Sequence, residues 1–244
     1  MRLHQWLLPV LFLSAVTGSY AQTAEEIINK HIEATGGLEK WNAVKSLYME
    51  GVSVMQNGQE VTSKIYKIQD QLFRRDVDFG MGSMTMLVTD KGGWSSTPRS
   101  QGKFEAMPAD MYASQLTELD VAGPLVNYAA KGHKASLEGK TTIDGKDAYK
   151  IKLTLKSGRE QTYYIDSATY YLVRTSFKDN GMMGRGRPQG SDGEINLDYS
   201  NFQKTSEGLV FPYTVTVGGM GAAMNYEKIE VNKTIDPKLS KPSY

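Results

Sequence analysis

Over residues 139–177 apolar and polar positions alternate with period two. Tyr149, Ile151, Leu153 and Leu155 interleave with Lys150, Lys152, Thr154 and Lys156, so one face of this strand is apolar and the other solvated. Ser157-Gly158 is a favoured two-residue turn. Beyond it Tyr163 and Ile165 take one side of a second strand, and Glu160, Thr162 and Tyr164 take the other. A turn over 166–169 then opens a third strand, 170–177. Antiparallel strands with lysines on one face need a partner for the other, and the rest of the chain must supply it.

Toward the N-terminus, Thr23-Ala24-Glu25-Glu26 has the form of a capping box, and Ile27, Ile28, Ile32 and Ala34 follow at helical spacing until Gly36-Gly37. Residues 38–44 read as a second short helical turn tucking Leu38, Trp41 and Val44 under the first. From Leu47 the period is two, with a hairpin at Asn57-Gly58. A strand over 72–79 carries Arg74, Arg75, Asp76 and Asp78 and so has a wet face; 83–89 and the strand of Trp94 follow. Residues 107–128 break the pattern. Pro108 suits a first helical position, and Met111, Tyr112, Gln115, Leu116 and Leu119 recur at three- and four-residue spacing. Gly123-Pro124 stops that helix, and 124–128 can start another. Strands resume near Lys134 and turn at Asp144-Gly145. The Gly- and Arg-rich segment 179–192 reads as a long mobile hairpin loop. Strands 195–202, 209–217 and 224–231 complete the pattern; Pro212 demotes its strand toward an edge or bulge, and 236–244 is a wrap or a frayed tail.

A sheet of about a dozen strands, each with one apolar face, is too large to stay flat and should curl around its apolar side. The helices available to fill it are the N-terminal one and those of 107–128. The expected fold is therefore mainly β (α+β): an incomplete antiparallel β-barrel, closed by an N-terminal helix and a short helical lid over an apolar cavity. An outer-membrane barrel is disfavoured, because lysines occupy one strand face and the charged strand at Arg74 to Asp78 suits neither lipid nor a simple lumen.

Arg2, the apolar run 6–16 and Ser19-Tyr20-Ala21 form a secretory signal peptide cleaved near Ala21, leaving a single domain over 22–244. The apolar run is about ten residues, against the roughly twenty a membrane span needs, so the expectation is an exported, periplasmic protein that is not membrane-spanning. Loss of Arg2 lowers the 28 basic residues to 27, matching the 27 acidic ones, so a nucleic-acid partner is not expected. Cysteine is absent, which excludes disulfides and thiolate chemistry. His31 and His133 read as ordinary surface or half-buried residues, and no nucleophile elbow, metal-spaced pair or dinucleotide fingerprint is present, so no catalytic residue, metal or cofactor is assigned. The 12 methionines are the compositional oddity. They read better as a pliable apolar lining than as Cu(I) ligands, and any single one reads better still as plain core packing.

Several stretches together resemble the LolA/LolB/LppX-like superfamily of periplasmic, outer-membrane lipoprotein-sorting-like proteins. They are the helix from Ile28 through Gly36-Gly37-Leu38 to Trp41, then Gly123-Pro124-Leu125-Val126-Asn127-Tyr128 with Lys131-Gly132-His133, and Ala148-Tyr149-Lys150-Ile151-Lys152-Leu153. Tyr163-Tyr164-Ile165-Asp166, Phe211-Pro212 and Ile229-Glu230-Val231-Asn232 complete the set. The resemblance implies an incomplete barrel whose lidded apolar cavity carries the acyl chains of lipoproteins or other lipids. On that reading Met84, Met86, Val88 and Trp94 face Leu116, Leu125 and Tyr128 of the lid, and Tyr149, Ile151, Leu153, Tyr163 and Ile165 extend the lining. The expected function is non-catalytic binding of a hydrophobic, acylated ligand. The alternative is an envelope protein-interaction module with a collapsed cavity, binding a protein partner; a hydrolase ranks third.

Overall fold

The computed structural model describes residues 22–55, 57–178, 193–218 and 223–242. The expected signal peptide and the expected loop over 179–192 lie outside them. Three helices, α1 (Ala24–Ala34), α2 (Leu38–Asn42) and α3 (Ala109–Gln115), accompany thirteen strands: β1 (Ser46–Val54), β2 (Glu60–Ile68), β3 (Leu72–Asp78), β4 (Ser83–Thr89), β5 (Gly92–Ser96), β6 (Glu105–Ala106), β7 (Lys134–Ile143), β8 (Lys146–Thr154), β9 (Glu160–Asp166), β10 (Leu172–Lys178), β11 (Glu194–Lys204), β12 (Val210–Val217) and β13 (Ala223–Val231). All thirteen belong to one antiparallel sheet of order β6-β5-β4-β3-β2-β1-β13-β12-β11-β10-β9-β8-β7. It is two meanders joined along a β1–β13 seam. The segment between β6 and β7 must therefore run from one edge of the sheet to the other, and it does so across the inner face.

Strand parity separates the two faces. Leu47 and Met49 pair with Val231 and Ile229 across the seam and point inward, whereas Glu50 pairs with Lys64 and Lys228 on the outside. The outer face is laced with ion pairs, among them Lys64–Glu50 (3.2 Å), Lys152–Glu160 (2.7 Å) and Lys150–Glu138 (3.0 Å). Such a surface belongs in water rather than lipid, and the sheet is unclosed. At Gly51 the seam shifts register, which brings Tyr226 as well as Ile229 to the inner face. The approach is so close there that a Cβ would lie 2.5 Å from the Asn225 carbonyl oxygen.

Helix α1 plugs one end of the curl. Its capping box is formed as the sequence predicts, with Thr23 and Glu26 exchanging hydrogen bonds of 3.0 and 3.1 Å. Ile27 and Ile28 are fully buried against Ile151, Leu153 and Ile165 of the sheet. The Trp41 indole donates to Thr35 Oγ1 (3.1 Å) and meets Phe211 edge-on at 5.3 Å. Trp41 and Val44 are buried as expected, but Leu38 is 45 % exposed, because α2 turns only one side to the core. The expected helix over 124–128 is absent. Gly123 and Asn127 adopt positive φ (79° and 54°), so 120–133 is a chain of turns. The C-terminal stretch is a wrap on the outer face: Ile235 and Leu239 pack on Leu72, Leu87 and Trp94.

His31 is half-buried beneath β10, and its Nδ1 lies 2.8 Å from the Tyr170 carbonyl oxygen, to which the ring N–H donates. Burial pushes its pKa down, outweighing that hydrogen bond. The folded state therefore binds fewer protons here than the unfolded chain, and stability falls as pH drops below about 6.5. His133 shifts in the same direction, so the test is a difference: thermal melts between pH 7 and pH 5 should lose less stability in His31→Asn, which keeps a donor, than in wild type. Equal slopes would remove His31 from the account.

Candidate functional site

The segment crossing the inner face begins with Met107, whose N–H donates to the Gly93 carbonyl (2.9 Å). A Cβ on Gly93 would come 2.8 Å from the Tyr112 ring and 2.9 Å from the Met107 sulfur, so a larger residue there would displace the lid side chains. Helix α3 then runs into a 3-10 turn, Leu116–Leu119. Met107 and Leu119 are buried against Ile65, Phe73 and Val88 of the sheet. The remaining fastenings are polar. Tyr112 Oη donates to the Thr89 carbonyl (2.9 Å), Arg159 Nη1 to the Ser114 carbonyl (2.7 Å), and Lys67 Nζ to Glu118 Oε2 (2.8 Å). The backbone N–H of Val121 donates to Gln69 Oε1 (2.9 Å) and that of Asp70 to the Leu119 carbonyl (3.0 Å). This lid is held by a few anchored side chains and by hydrogen bonds that water can replace.

Away from α1, solvent reaches the inner face. Leu197, Val215, Val217 and Met224, on consecutive strands near the seam, are half-buried, as are Met84 and Met86 across it. These half-exposed apolar side chains leave part of the inside of the curled sheet uncovered by the described residues away from α1, and this stretch of inner face is the hollow. Its rim carries exposed Val54, Met55 and Met81, the last 94 % accessible. A separate groove of about 570 Å³ on the outside is lined by charged and polar side chains, including Lys152, Glu160, Thr162 and Glu194, together with Phe177.

The same inner face carries a polar group that no apolar lining predicts. Arg75 pairs in register with Ile65 and Met86, and shares its inner-facing parity with the buried Phe73 and Val77. Its Nε donates to the fully buried Ser63 Oγ (3.2 Å). The positive charge of Lys67 holds the Glu118 carboxyl below the usual range against the opposing effect of desolvation, with Arg75 and Arg159 adding to it. Burial raises the phenols around them: Tyr163 strongly, Tyr226 despite the nearby Arg75, and Tyr199 up to about 12. Their hydroxyls are thus protonated donors throughout the physiological range.

The residues expected to line a cavity divide into four sets. Met86 and Val88 lie beneath the lid, and Met84 continues their face toward the rim. Tyr149, Ile151, Leu153, Tyr163 and Ile165 join Leu125 in the packed core under α1, most of them sealed from solvent, with Tyr128 half-buried beside them. They form the floor beneath the hollow. Leu116 is 41 % exposed on the lid. Trp94 does not belong to the set: it pairs with Leu87, whose side chain faces outward, and is covered there by Ile235 and Leu239. One residue of parity separates Leu87 from Val88, so grouping Trp94 with Val88 puts it on the wrong face. Lys67, Arg75, Glu118, Tyr199 and Tyr226 escape sequence reasoning. A signal exists for one of them: Phe73-x-Arg75-x-Val77 places the arginine on the apolar parity. Among the described residues no cluster of His, Asp and Glu could hold a metal, and His133 Nδ1 accepts from the Lys156 backbone (3.0 Å).

A half-barrel with its own chain drawn across the opening has counterparts among solved structures. The chain has a LolA-like fold. A LolA superfamily protein from Nitrosomonas europaea matches over 91 % of this chain and 99 % of its own, with TM-score 0.55 and 13 % identity. A DUF1329 family protein from Desulfovibrio piger matches over 91 % and 98 %, with TM-score 0.58 and 13 % identity. A domain from Vibrio parahaemolyticus named for outer membrane lipoprotein sorting matches over 88 % and 95 %, with TM-score 0.53 and 12 % identity. No family model matches the sequence, and no curated protein matches it either. At these identities the likeness concerns the fold alone.

The Lys67–Glu118 pair is the charged latch of that lid. Because the Glu118 side chain is 42 % exposed, its contribution is screened, and Glu118→Gln should cost about 0.5 kcal/mol. Hydrogen exchange should show amides of 109–119 losing about twofold protection while α1 and β8 stay unchanged. With the folded carboxyl pKa depressed, the latch holds at neutral pH and is lost as pH falls below about 4.3 through the lower folded value. Wild-type protection in Glu118→Gln would show that the latch bears no load.

Proposed function

We propose that this protein is an exported, periplasmic carrier that binds a hydrophobic, acylated ligand (a lipid or the lipid-bearing end of a lipoprotein) in the hollow and releases it to an acceptor without chemistry. The observation behind this reading is the band of half-exposed apolar side chains on the inside of a sheet whose outside is ion-paired. An inner face left uncovered by the described residues is a surface for something else to cover. The name of the Vibrio parahaemolyticus relative, lipoprotein sorting, supports the same class of cargo.

Binding draws on burial of methylenes at about 0.8 kcal/mol each, enough for several turns of an acyl chain to offset displacement of the lid. Met84, Met86 and Met224 suit such a role because an unbranched thioether repacks against chains of differing length. Exposed Val54, Met55 and Met81 on the rim would touch a donor or acceptor during transfer. Those same residues also favour the alternative of a protein-interaction surface, in which the rim alone is used.

Native mass spectrometry of protein purified from its own envelope, followed by organic extraction, should reveal an acylated ligand near one per chain. Emptied protein should take up a fluorescent fatty acid, and Leu197→Gln should weaken uptake about tenfold by setting an amide in the apolar wall. A bare protein that also ignores fluorescent fatty acids and lipopeptides would end the carrier reading in favour of the interaction surface.

A further inference from the structure

The inner face carries more positive charge than a purely apolar cargo needs. Lys67, Arg75 and Arg159 sit with the carboxylate of Glu118. Lys67 is matched by Glu118 at 2.8 Å, and Arg159 is turned to the lid backbone at Ser114. Arg75 differs from both. It is exposed within the hollow, and among the described residues its one hydrogen bond is from Nε to Ser63 Oγ, which leaves the paired donors of Nη1 and Nη2 without a protein acceptor.

Its nearest neighbours on the inner face are apolar, although solvent reaches the guanidinium. Ile65 and Met86 flank it in register, Phe73 and Val77 along its own strand. A guanidinium held between apolar walls keeps its charge at every relevant pH and presents a planar fork that matches the oxygens of a carboxylate or phosphate. Ser63, with no exposure, fixes the base of that fork. Tyr226, close enough for Arg75 to influence its ionisation, offers a neutral hydroxyl on the neighbouring side of the seam. The half-buried Met84, Met224 and Val215 continue from this group toward the rim, so a headgroup at Arg75 leaves its chain on apolar surface.

We infer that the hollow selects an amphiphile with an anionic oxygen headgroup, a carboxylate or phosphate carried on an acyl or alkyl chain, whose oxygens engage the Arg75 guanidinium beside Ser63 and Tyr226. This refines the carrier reading and rests on it. It also couples cargo to lid: an oxyanion arriving beside Glu118 repels that carboxylate and competes for the same cations, which loosens the Lys67 latch as the ligand enters.

The test compares dodecyl phosphate, dodecyl maltoside and inorganic phosphate by calorimetry, below the micelle concentrations, on the full mature chain and on Arg75→Met and Arg75→Lys. Wild type should bind dodecyl phosphate about ten- to a hundredfold more tightly than dodecyl maltoside, the range a charged hydrogen-bonded pair supplies. Arg75→Met should erase that preference with maltoside affinity unchanged, and Arg75→Lys should keep part of it. Inorganic phosphate alone should bind far more weakly than dodecyl phosphate. Equal affinity of wild type for the two amphiphiles, or a preference that survives in a folded Arg75→Met, would overturn the headgroup site and leave the carrier standing. Inorganic phosphate binding as tightly as dodecyl phosphate would instead mark a plain anion site. Failure of wild type to bind either amphiphile would remove the hollow's role and this inference with it. The wild-type comparison decides the matter even if Arg75→Met fails to fold.

Discussion

A thirteen-stranded antiparallel sheet has more inner face than one eleven-residue helix can cover. Everything else in the molecule follows from that mismatch. The sheet curls because its strands twist, and α1 seals one end by burying Ile27, Ile28 and Ile32 against the sheet. Among the described residues, the other end receives the segment between β6 and β7. Since these two strands are opposite edges of one sheet, their connection has no short route except over the opening. The lid is thus a consequence of strand order, and its length is set by the width it must span.

Which parts of this were legible depends on whether the deciding residues are near one another in sequence. Hairpins are local, so turns such as Ser157-Gly158 and Asp144-Gly145 and the parity of β8 and β9 could be read directly, and the strands lie where that pattern puts them. The half-barrel follows from many strands, one apolar face and few helices, and its LolA-like character from the resemblance of particular stretches. Trp94 marks the limit. An aromatic residue in a short strand is consistent with either face, and the choice is made by its pairing with Leu87 and by Ile235 and Leu239, more than a hundred residues away. The expected helix over 124–128 failed for a more local reason: with Gly123 and Asn127 in left-handed conformations on either side, a helical turn cannot propagate.

The polar interior was missed because charged side chains were assigned to water. In β3, Arg74 and Arg75 point to opposite faces, and a strand with four charged residues reads as wet on one side only if the charges share a parity. Arg74 finds Asp76 on the outside at 2.9 Å, and Asp76 also accepts from Thr85 at 2.8 Å. Arg75 is left inside with Ser63.

The balance between packing and polar contact sets how the lid can behave. Were α3 bound to the sheet through a buried apolar stripe like that of α1, moving it would expose several large side chains at about 1.5–3 kcal/mol each. Instead Leu116 is exposed, Met111 and Tyr112 are only partly buried, and the anchors beyond Met107 and Leu119 are hydrogen bonds and one screened ion pair. Each such bond is worth about 1 kcal/mol net, because water replaces it when the lid lifts. On the proposed carrier reading, an acyl chain sliding under α3 would cover apolar surface that is otherwise half-wet and break contacts that solvent restores. The floor beneath, from Tyr149 to Ile165, stays packed under α1 throughout. A cavity built this way opens by moving its cheapest wall, and the sequence marks that wall as the one stretch where the alternation of the strands is broken.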